Sequence, residues 1–202
     1  MSTSSGTATA RGRGTSRSTP TRRPPVVAVA VAFGLALAVV TALVTTSGGP
    51  GSGTLSVSYD RDSQVLDFRG GTFAGGTIDS EALRGTPVVL NFYASWCTVC
   101  DRELPDFQRV AERLDGRVQV LGINPQSNDT DAAQARMIER AGITYPTLPD
   151  PQDELLRQFN STGGLPITVF VSADGVVRKV HNGLLTEQLL LDEIAASLDV
   201  QV

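Results

Sequence analysis

Apolar runs and helix-like spacing alternate along the chain and predict a folded body of alternating strands and helices. Residues 87–94 and 118–124 are apolar, β-branched runs, which are typical of strands buried on both faces of a sheet. Between them, apolar residues recur every three or four positions, which predicts a helix that begins near Cys97 and buries one face. These residues are Leu104, Phe107, Ala111 and Leu114. The order predicts a βαβ unit with two parallel strands.

The C-terminal part of the pattern predicts a β-hairpin and a final helix. Residues 167–172 and 176–182 are strand-like and flank the turn residues 173–175. Thr186 is the predicted N-cap of the last helix. We expect four apolar residues of that helix to face the core, namely Leu189, Leu190, Leu191 and Ile194.

Two more helices are predicted between the βαβ unit and the hairpin. Residues 131–141 have a helical composition. Asp150 and Pro151 offer an N-cap and a first-turn proline for a helix that reaches about Phe159. Upstream of the unit, the pattern predicts short strands at 66–69 and 77–78 and a helical turn at 79–83.

The N-terminal quarter has the composition of a membrane-targeting segment. Residues 1–25 are rich in Ser, Thr, Gly, Arg and Pro and predict a disordered segment. Residues 26–46 are 21 uncharged residues, enough for a helix to cross the roughly 30 Å hydrocarbon core of a bilayer. We expect a flexible tether over 47–64, rich in Gly and Ser at its start, and a folded domain over 65–202.

Charge gives the predicted span a direction. The residues after it carry no charge over 47–54, whereas the segment before it contains Arg11, Arg13, Arg17, Arg22 and Arg23. The positive-inside rule therefore predicts a cytoplasmic N-terminus and an extracytoplasmic domain in the cell membrane. The alternative is a cleaved signal peptide, whose apolar region is normally about 7 to 15 residues long. Either route places the domain in the same compartment.

Composition excludes several classes of function. Removing those five arginines from the 17 basic residues leaves 12 against 21 acidic residues, a formal net charge of -9 for the rest of the chain. An acidic body without a basic stripe argues against nucleic-acid binding. With two cysteines and one histidine, the chain is no disulfide scaffold, and a four-ligand zinc site would need carboxylates. We expect no bound metal and no cofactor.

The two cysteines carry the candidate chemistry. Cys97 and Cys100 form a Cys-x-x-Cys pair where the first predicted strand ends and the helix begins, which is typical of redox sites. In the first helical turn their Cα atoms lie roughly 5 to 6 Å apart, as a disulfide requires. Free N–H groups and the helix dipole favour a thiolate at Cys97, the predicted nucleophile. Cys100, one turn deeper, is the predicted resolving thiol.

Other interpretations of the cysteine pair stay open on the residues alone. A fixed disulfide could staple the turn, although closing so short a loop removes little entropy from the unfolded chain. Cys97, Cys100 and His181 could hold copper or zinc, and a copper-delivery module that uses the two thiols is the alternative function. His181 is otherwise an ordinary strand residue.

The motif also carries a family resemblance. The sequence VVLNFYASWCTVCDRELPDF, followed by GGLPITVFVSADG, resembles the membrane-anchored thioredoxins of the TlpA/ResA type, which include the DsbE/CcmG proteins. The resemblance covers about residues 65–200. It implies an α/β thioredoxin fold with an N-terminal extension and a central insert at 125–160, preceded by one transmembrane helix. It further implies thiol-disulfide exchange with exported proteins, apocytochrome c among them, and electrons from a transmembrane partner of the DsbD/CcdA kind.

The resemblance assigns roles to individual residues. Trp96, Cys97 and Cys100 fall on the active-site motif, and Pro105 matches a proline that kinks the active-site helix. Pro166 matches the proline before the third strand of the fold, which is cis in the family. This position implies that Leu165 presents its backbone to an extended substrate segment.

The chain departs from the thioredoxin pattern at a buried acid. Asn91 stands where true thioredoxins carry an aspartate on the central strand, so it cannot accept a proton. The TlpA/ResA group often has a glutamate three residues beyond the second cysteine, and Glu103 occupies that position. Glu103 shares a helix face with Cys100 and is the implied proton acceptor. A solvated helix glutamate is the other interpretation.

Two further departures limit what the resemblance implies. Thr98 and Val99 stand between the cysteines without the proline of many relatives, and because this pair tunes the reduction potential, the direction of electron flow stays open. Peroxiredoxins share the fold but carry a threonine three residues before the reactive cysteine. Ala94 occupies that position here, which argues against a peroxidase.

Overall fold

A computed structural model of the chain describes residues 55–160 and 164–202. In these two ranges, no helix is both long and apolar enough to cross a bilayer. The predicted cytoplasmic segment 1–25, the predicted transmembrane span 26–46 and the start of the predicted tether all lie outside the described residues.

Strands and helices alternate through the domain. The strands are β1 (Ser56–Asp60), β2 (Val65–Gly71), β3 (Thr77–Asp79), β4 (Val88–Phe92), β5 (Gln119–Pro125), β6 (Thr147–Asp150), β7 (Ile167–Val171) and β8 (Val177–Asn182). The helices are α1 (Thr98–Arg113), α2 (Asp131–Ala141), α3 (Glu154–Phe159) and α4 (Glu187–Leu198), and a 3-10 turn spans Glu81–Leu83.

A five-stranded sheet with the order β6-β5-β4-β7-β8 forms the centre of the domain. The central strand β4 pairs in parallel with β5 and antiparallel with β7. Strand β6 is parallel to β5, and β7 and β8 form an antiparallel pair. The predicted parallel βαβ unit (β4-α1-β5) and the predicted C-terminal hairpin are therefore confirmed.

Both faces of the sheet are covered. On one face, Val89 and Tyr93 belong to a buried cluster with residues of α1, α2 and α4. On the other face, Leu90 and Phe92 pack with β2 and α3. Every residue of β4 is buried, which explains its uninterrupted apolar run. Asn91 is the one polar residue of β4, and its side chain belongs to the candidate site described below.

The N-terminal extension is a small antiparallel sheet of β1, β2 and β3. It begins inside the segment that composition assigned to a tether over 47–64, so that boundary is wrong for residues 55–64. Leu55 is buried, and all five residues of β1 pair in antiparallel register with Val65–Arg69 of β2. The sequence pattern did not predict β1, because exposed residues alternate with half-buried ones and only one face of the strand packs on the domain.

The predicted start of α3 is also wrong. Asp150 ends the edge strand β6, which the sequence pattern does not predict, and α3 begins at Glu154. Asp150 still caps the helix from a distance, since its carboxylate accepts hydrogen bonds from the N–H groups of Glu154 (2.7 Å) and Leu156 (2.9 Å). The missed strand contains a proline, which suits an edge position.

One predicted core residue lies at the surface. In α4, Leu190, Leu191 and Ile194 are buried as predicted, whereas Leu189 is 50% exposed. Successive residues are about 100° apart around a helix. Three consecutive leucines therefore cannot all face the same core.

Gly122 provides a test of the packing beside the central strand. A Cβ atom at this position would lie 2.6 Å from Thr147 Cγ2 and 2.8 Å from Tyr93 Cε1. We expect Gly122→Ala to lower the free energy of unfolding by about 1 to 3 kcal/mol, as overpacking does in cores. Urea denaturation measures the change. The matched control is Gly164→Ala, because a Cβ atom there meets nothing within 4 Å. Equal stability of the two variants would contradict the packing described here.

Candidate active site

The candidate site lies where β4 leads into α1. Tyr93 continues the pairing of β4 with a hydrogen bond from its N–H to the carbonyl of Ile123 (3.1 Å). A turn follows, closed by the Cys97 N–H, which donates to the Ala94 carbonyl (3.0 Å). Cys97 is the N-cap residue of α1. The sheet and the helix therefore fix the first cysteine from both sides.

Cys97 and Cys100 are joined by a disulfide bond, with their Cα atoms 5.2 Å apart. The Cys97 sulfur also accepts a hydrogen bond from the Cys100 N–H (3.1 Å), so it sits over the free N–H groups of the first helical turn. Cys97 keeps 5% of its surface exposed, whereas Cys100 has none. Cys97 is therefore the more exposed residue of the two, as expected for a nucleophile ahead of a resolving thiol.

The predicted substrate-binding residues lie at the same edge of the sheet. Ile167, the first residue of β7, pairs with Phe92, the last residue of β4. Leu165 and Pro166 directly precede it, and their peptide bond is cis, as the resemblance implies. Leu165 packs against the buried cluster that contains both cysteines. Trp96 is 56% exposed beside the disulfide and is available to a partner protein.

Glu103 is buried, so it is not a solvated helix residue. None of its surface is exposed. One carboxylate oxygen accepts a hydrogen bond from Asn91 Nδ2 (2.7 Å), and the other accepts one from the N–H of Leu185 (3.1 Å). Since Cys100 lies three residues earlier on α1, the carboxylate and the buried Cys100 side chain are neighbours on one helix face.

Burial gives this carboxylate an unusual proton affinity. It raises the pKa of Glu103 from its ordinary value of 4.5 to about 7, while the hydrogen bonds from Asn91 and Leu185 offset part of that rise. A charged carboxylate loses its hydration when it is buried, which favours the protonated form. Glu103 can therefore exchange a proton with a neighbouring group near neutral pH.

The sequence analysis did not predict that Asn91 would bind Glu103. Its amide cannot take a proton, but it donates a hydrogen bond that holds the Glu103 carboxylate in place. The apolar run around Asn91 was the available signal, because a buried amide on a central strand requires a polar partner.

Pro105, two residues beyond Glu103, lies inside α1, where it removes one backbone hydrogen bond.

A second polar contact was not visible in the sequence. The carboxylate of Asp129 accepts hydrogen bonds from the N–H (2.7 Å) and the hydroxyl (2.5 Å) of Ser95, two residues before Cys97. Asp129 lies between β5 and α2, within the predicted insert at 125–160. The N-cap pattern at the start of α2 is the only nearby sequence signal, and it identifies Thr130 instead.

The metal interpretation finds no assembled ligand set in the described part of the chain. Across 55–160 and 164–202, no three His, Cys, Asp or Glu side chains form a group that could hold a metal ion. His181 lies in β8, in register with Thr168 of β7. The structure therefore does not bring His181 together with Cys97 and Cys100 as a three-ligand group.

Comparison with known proteins gives a consistent family. The model of the AhpC/TSA family matches residues 62–180, more than half of the chain. The thiol-disulfide oxidoreductase ResA of Halalkalibacterium halodurans is 27% identical over 128 residues, which cover 63% of this chain and 71% of that protein. The thiol:disulfide interchange protein DsbE of Pseudomonas fluorescens biotype C is 31% identical over 126 residues, covering 62% and 68%.

A solved structure supports the same fold. The crystal structure of a DsbF homologue from Corynebacterium diphtheriae is 27% identical, with a TM-score of 0.59, and the match covers 74% of this chain and 96% of that one. The architecture of the described residues is therefore a thioredoxin-like α/β fold. The sheet of β1, β2 and β3 precedes this fold, and α2, β6 and α3 occupy the region 125–160, where the resemblance implies an insert.

The raised pKa of Glu103 predicts a specific pH dependence of stability. Because the folded protein holds this proton up to about pH 7 and the unfolded chain releases it near 4.5, folding binds a proton between those values. The oxidised protein therefore loses stability as pH rises through this window, by about 3 kcal/mol from Glu103 alone. We expect Glu103→Gln to remove that loss in urea denaturation between pH 4 and 8. The exposed Glu112→Gln on the same helix is the control and should retain the loss. A wild-type slope in Glu103→Gln would contradict the assignment.

Proposed function

The chain belongs to the AhpC/TSA family and, within it, to the thioredoxin-like proteins of the TlpA/ResA/DsbE type, and from this membership we propose that it is an extracytoplasmic thiol-disulfide oxidoreductase. The observation that carries the proposal is the Cys97–Cys100 disulfide at the N-terminus of α1, with Cys97 as the more exposed residue of the pair. The pair cycles between this disulfide and a dithiol. The activity is exchange with the disulfides and thiols of other proteins.

The exchange takes two steps that move two electrons. The Cys97 thiolate attacks one sulfur of a substrate disulfide, forms a mixed disulfide with it, and releases the other substrate sulfur as a thiolate. Cys100 then loses its proton and attacks the Cys97 sulfur. The Cys97–Cys100 bond forms, the second substrate sulfur leaves and is protonated, and the substrate is reduced while the protein is oxidised. The reverse sequence oxidises a substrate dithiol.

The second step needs a proton acceptor inside the protein. Cys100 has no exposed surface, so bulk water cannot take its proton directly. Glu103 is the buried carboxylate on the same helix face, and its pKa of about 7 leaves a large fraction ionised at neutral pH. A base whose pKa lies near the working pH is present largely in its ionised form and still binds a proton strongly enough to accept it. Glu103 therefore takes the Cys100 proton as the mixed disulfide is resolved.

The N-terminal sequence and the family type support a proposal for the location and the partners of the enzyme. Residues 26–46 anchor the protein in the cell membrane with the redox domain outside, because basic residues precede the span and none follows it closely. Exported proteins are then the substrates, with apocytochrome c as one of them. Reduction outside the cell also requires a transmembrane electron donor of the DsbD/CcdA kind.

Trapping tests the exchange mechanism and its substrates. In Cys100→Ala the mixed disulfide on Cys97 cannot be resolved, so we expect the full-length variant, expressed in its native host, to accumulate adducts that a reductant dissolves. Gel electrophoresis without reductant and mass spectrometry identify them. Cys97→Ala is the matched control and should trap nothing. Trapped apocytochrome supports the substrate assignment, whereas other exported proteins alone would contradict it. If nothing is trapped while the wild type rescues its deletion, the exchange mechanism is wrong.

Substitution of Glu103 tests the proton-transfer step. We expect Glu103→Gln to slow resolution of a preformed Cys97 mixed disulfide by at least tenfold at pH 7, since general-base catalysis typically contributes a factor of about 10² to 10⁴. Stopped-flow measurement of substrate release from pH 6 to 9 follows the step. The variant should also lose the rise in rate near pH 7, while Glu112→Gln keeps it. An unchanged rate across this range would reject the role.

A further inference from the structure

Asp129 has an unusual number of hydrogen-bond donors around one carboxylate. Ser95 donates its N–H and its hydroxyl, at 2.7 and 2.5 Å. The N–H of Thr130 (2.8 Å) and Asn124 Nδ2 (3.2 Å) also donate to it, as does Gln134 Nε2. These donors come from the loop before the cysteines, from the end of β5 and from the start of α2. The carboxylate therefore joins three separate elements at one point.

The same group of side chains holds a second backbone position in the loop. Asn124 Nδ2 donates to the carbonyl of Tyr93 (3.2 Å) as well as to Asp129. Tyr93 and Ser95 lie four and two residues before Cys97. We use the name loop clamp for Asn124, Asp129 and Gln134. It fixes the loop on either side of Ala94.

Asp129 acts in this clamp as an anion. Its partial burial would raise its pKa, but the hydrogen bonds from Ser95, Gln134 and Thr130 outweigh that effect and hold the pKa below its ordinary value. Hydrogen bonds to a charged acceptor are roughly twice as strong as those between neutral groups. Asp129 is therefore ionised, and its hydrogen bonds are charge-assisted, at every pH at which Cys97 is a thiolate.

We propose that Asp129 is a positioning residue of the redox site, which holds the loop before Cys97 in place when the disulfide is open. In the oxidised protein, Cys97 is tied covalently to Cys100 and so to α1. Reduction removes that tie. Cys97 is then held by backbone hydrogen bonds, from its own N–H to Ala94 in the preceding loop (3.0 Å) and from the Asp101 N–H to its carbonyl (3.1 Å), so its position depends more strongly on the loop. The inference rests on the proposed exchange function and adds a requirement specific to the dithiol state.

Asp129→Asn tests the proposal because it keeps the shape of the side chain and replaces one acceptor oxygen by a donor. That donor faces the N–H groups of the clamp, which loosens the loop. We expect the full-length variant to reduce a small disulfide about tenfold more slowly, since small displacements of a reacting atom have effects of this size. The pH midpoint of Cys97 alkylation in the reduced protein should rise, because the thiolate loses its place at the helix N-terminus.

The direction in which the pH midpoint of Cys97 alkylation shifts distinguishes a positioning role of Asp129 from a purely electrostatic effect of its charge. Removal of a nearby negative charge by itself favours a thiolate and lowers the midpoint. A lower midpoint in Asp129→Asn therefore overturns the proposal. Asp131→Asn is the matched control, because it removes an exposed charge two residues away that contacts Gln126 and not the loop. It should leave rate and midpoint unchanged.

A second variant covers the case in which Asp129→Asn fails to fold. Ser95→Ala keeps every charge and loses only the hydroxyl contact to Asp129, so it should raise the midpoint and slow exchange by a smaller factor. A wild-type rate and midpoint in this variant overturn the proposal. A purely structural role is also distinguishable, since it lowers the thermal midpoint equally in the oxidised and reduced proteins, whereas positioning lowers it more in the reduced one. If the wild type itself exchanges no disulfide, the proposed function fails instead.

Discussion

The central strand β4 is the constraint on which the rest of the site depends. All five of its residues are buried, and neighbouring strands pair with it on both edges. A strand held in this way can neither slide nor rotate without exposing apolar side chains, because a shift of one residue exchanges its two faces. Its last residue, Phe92, is therefore a fixed point. The cysteine helix starts from it along the chain, and Ile167, next to the cis Pro166, pairs with it across the sheet.

The buried acid illustrates how this fixed point supports chemistry. Asn91 lies in β4 and contributes an amide, while Glu103 lies on α1 and contributes the carboxylate. Since only one of the two can ionise, the raised pKa of Glu103 comes chiefly from its burial, with repulsion from Asp106 as the smallest cause. The Leu185 N–H, 82 residues further along the chain, completes the carboxylate's partners. The strand, the active-site helix and the segment before α4 are thereby joined beneath the disulfide.

Local patterns in the sequence account for what could be predicted. The cysteines are three residues apart at a strand-helix junction, and β4, β5 and α1 have strong apolar patterns. Residues close together in the chain are therefore enough to predict these elements and the cysteine pair. Strand β1 was missed because half its residues face outward, and β6 because it is a short edge strand. The partners of Glu103 and Asp129 depend on contacts between distant segments. No spacing in the chain encodes such contacts until the order of the strands is known.

The position of Asp129 follows from that strand order. Strands β4 and β5 are parallel neighbours, so the segments that follow them leave the sheet at the same edge. One of these segments carries Ser95 and the cysteines, and the other carries Asp129 at the entrance to α2. Closing the loop between Ser95 and Asp129, which are 34 positions apart, costs little additional entropy, because the paired strands have already brought both ends together. Pairing for stability thus places an anion from the insert against the loop that presents the reactive sulfur.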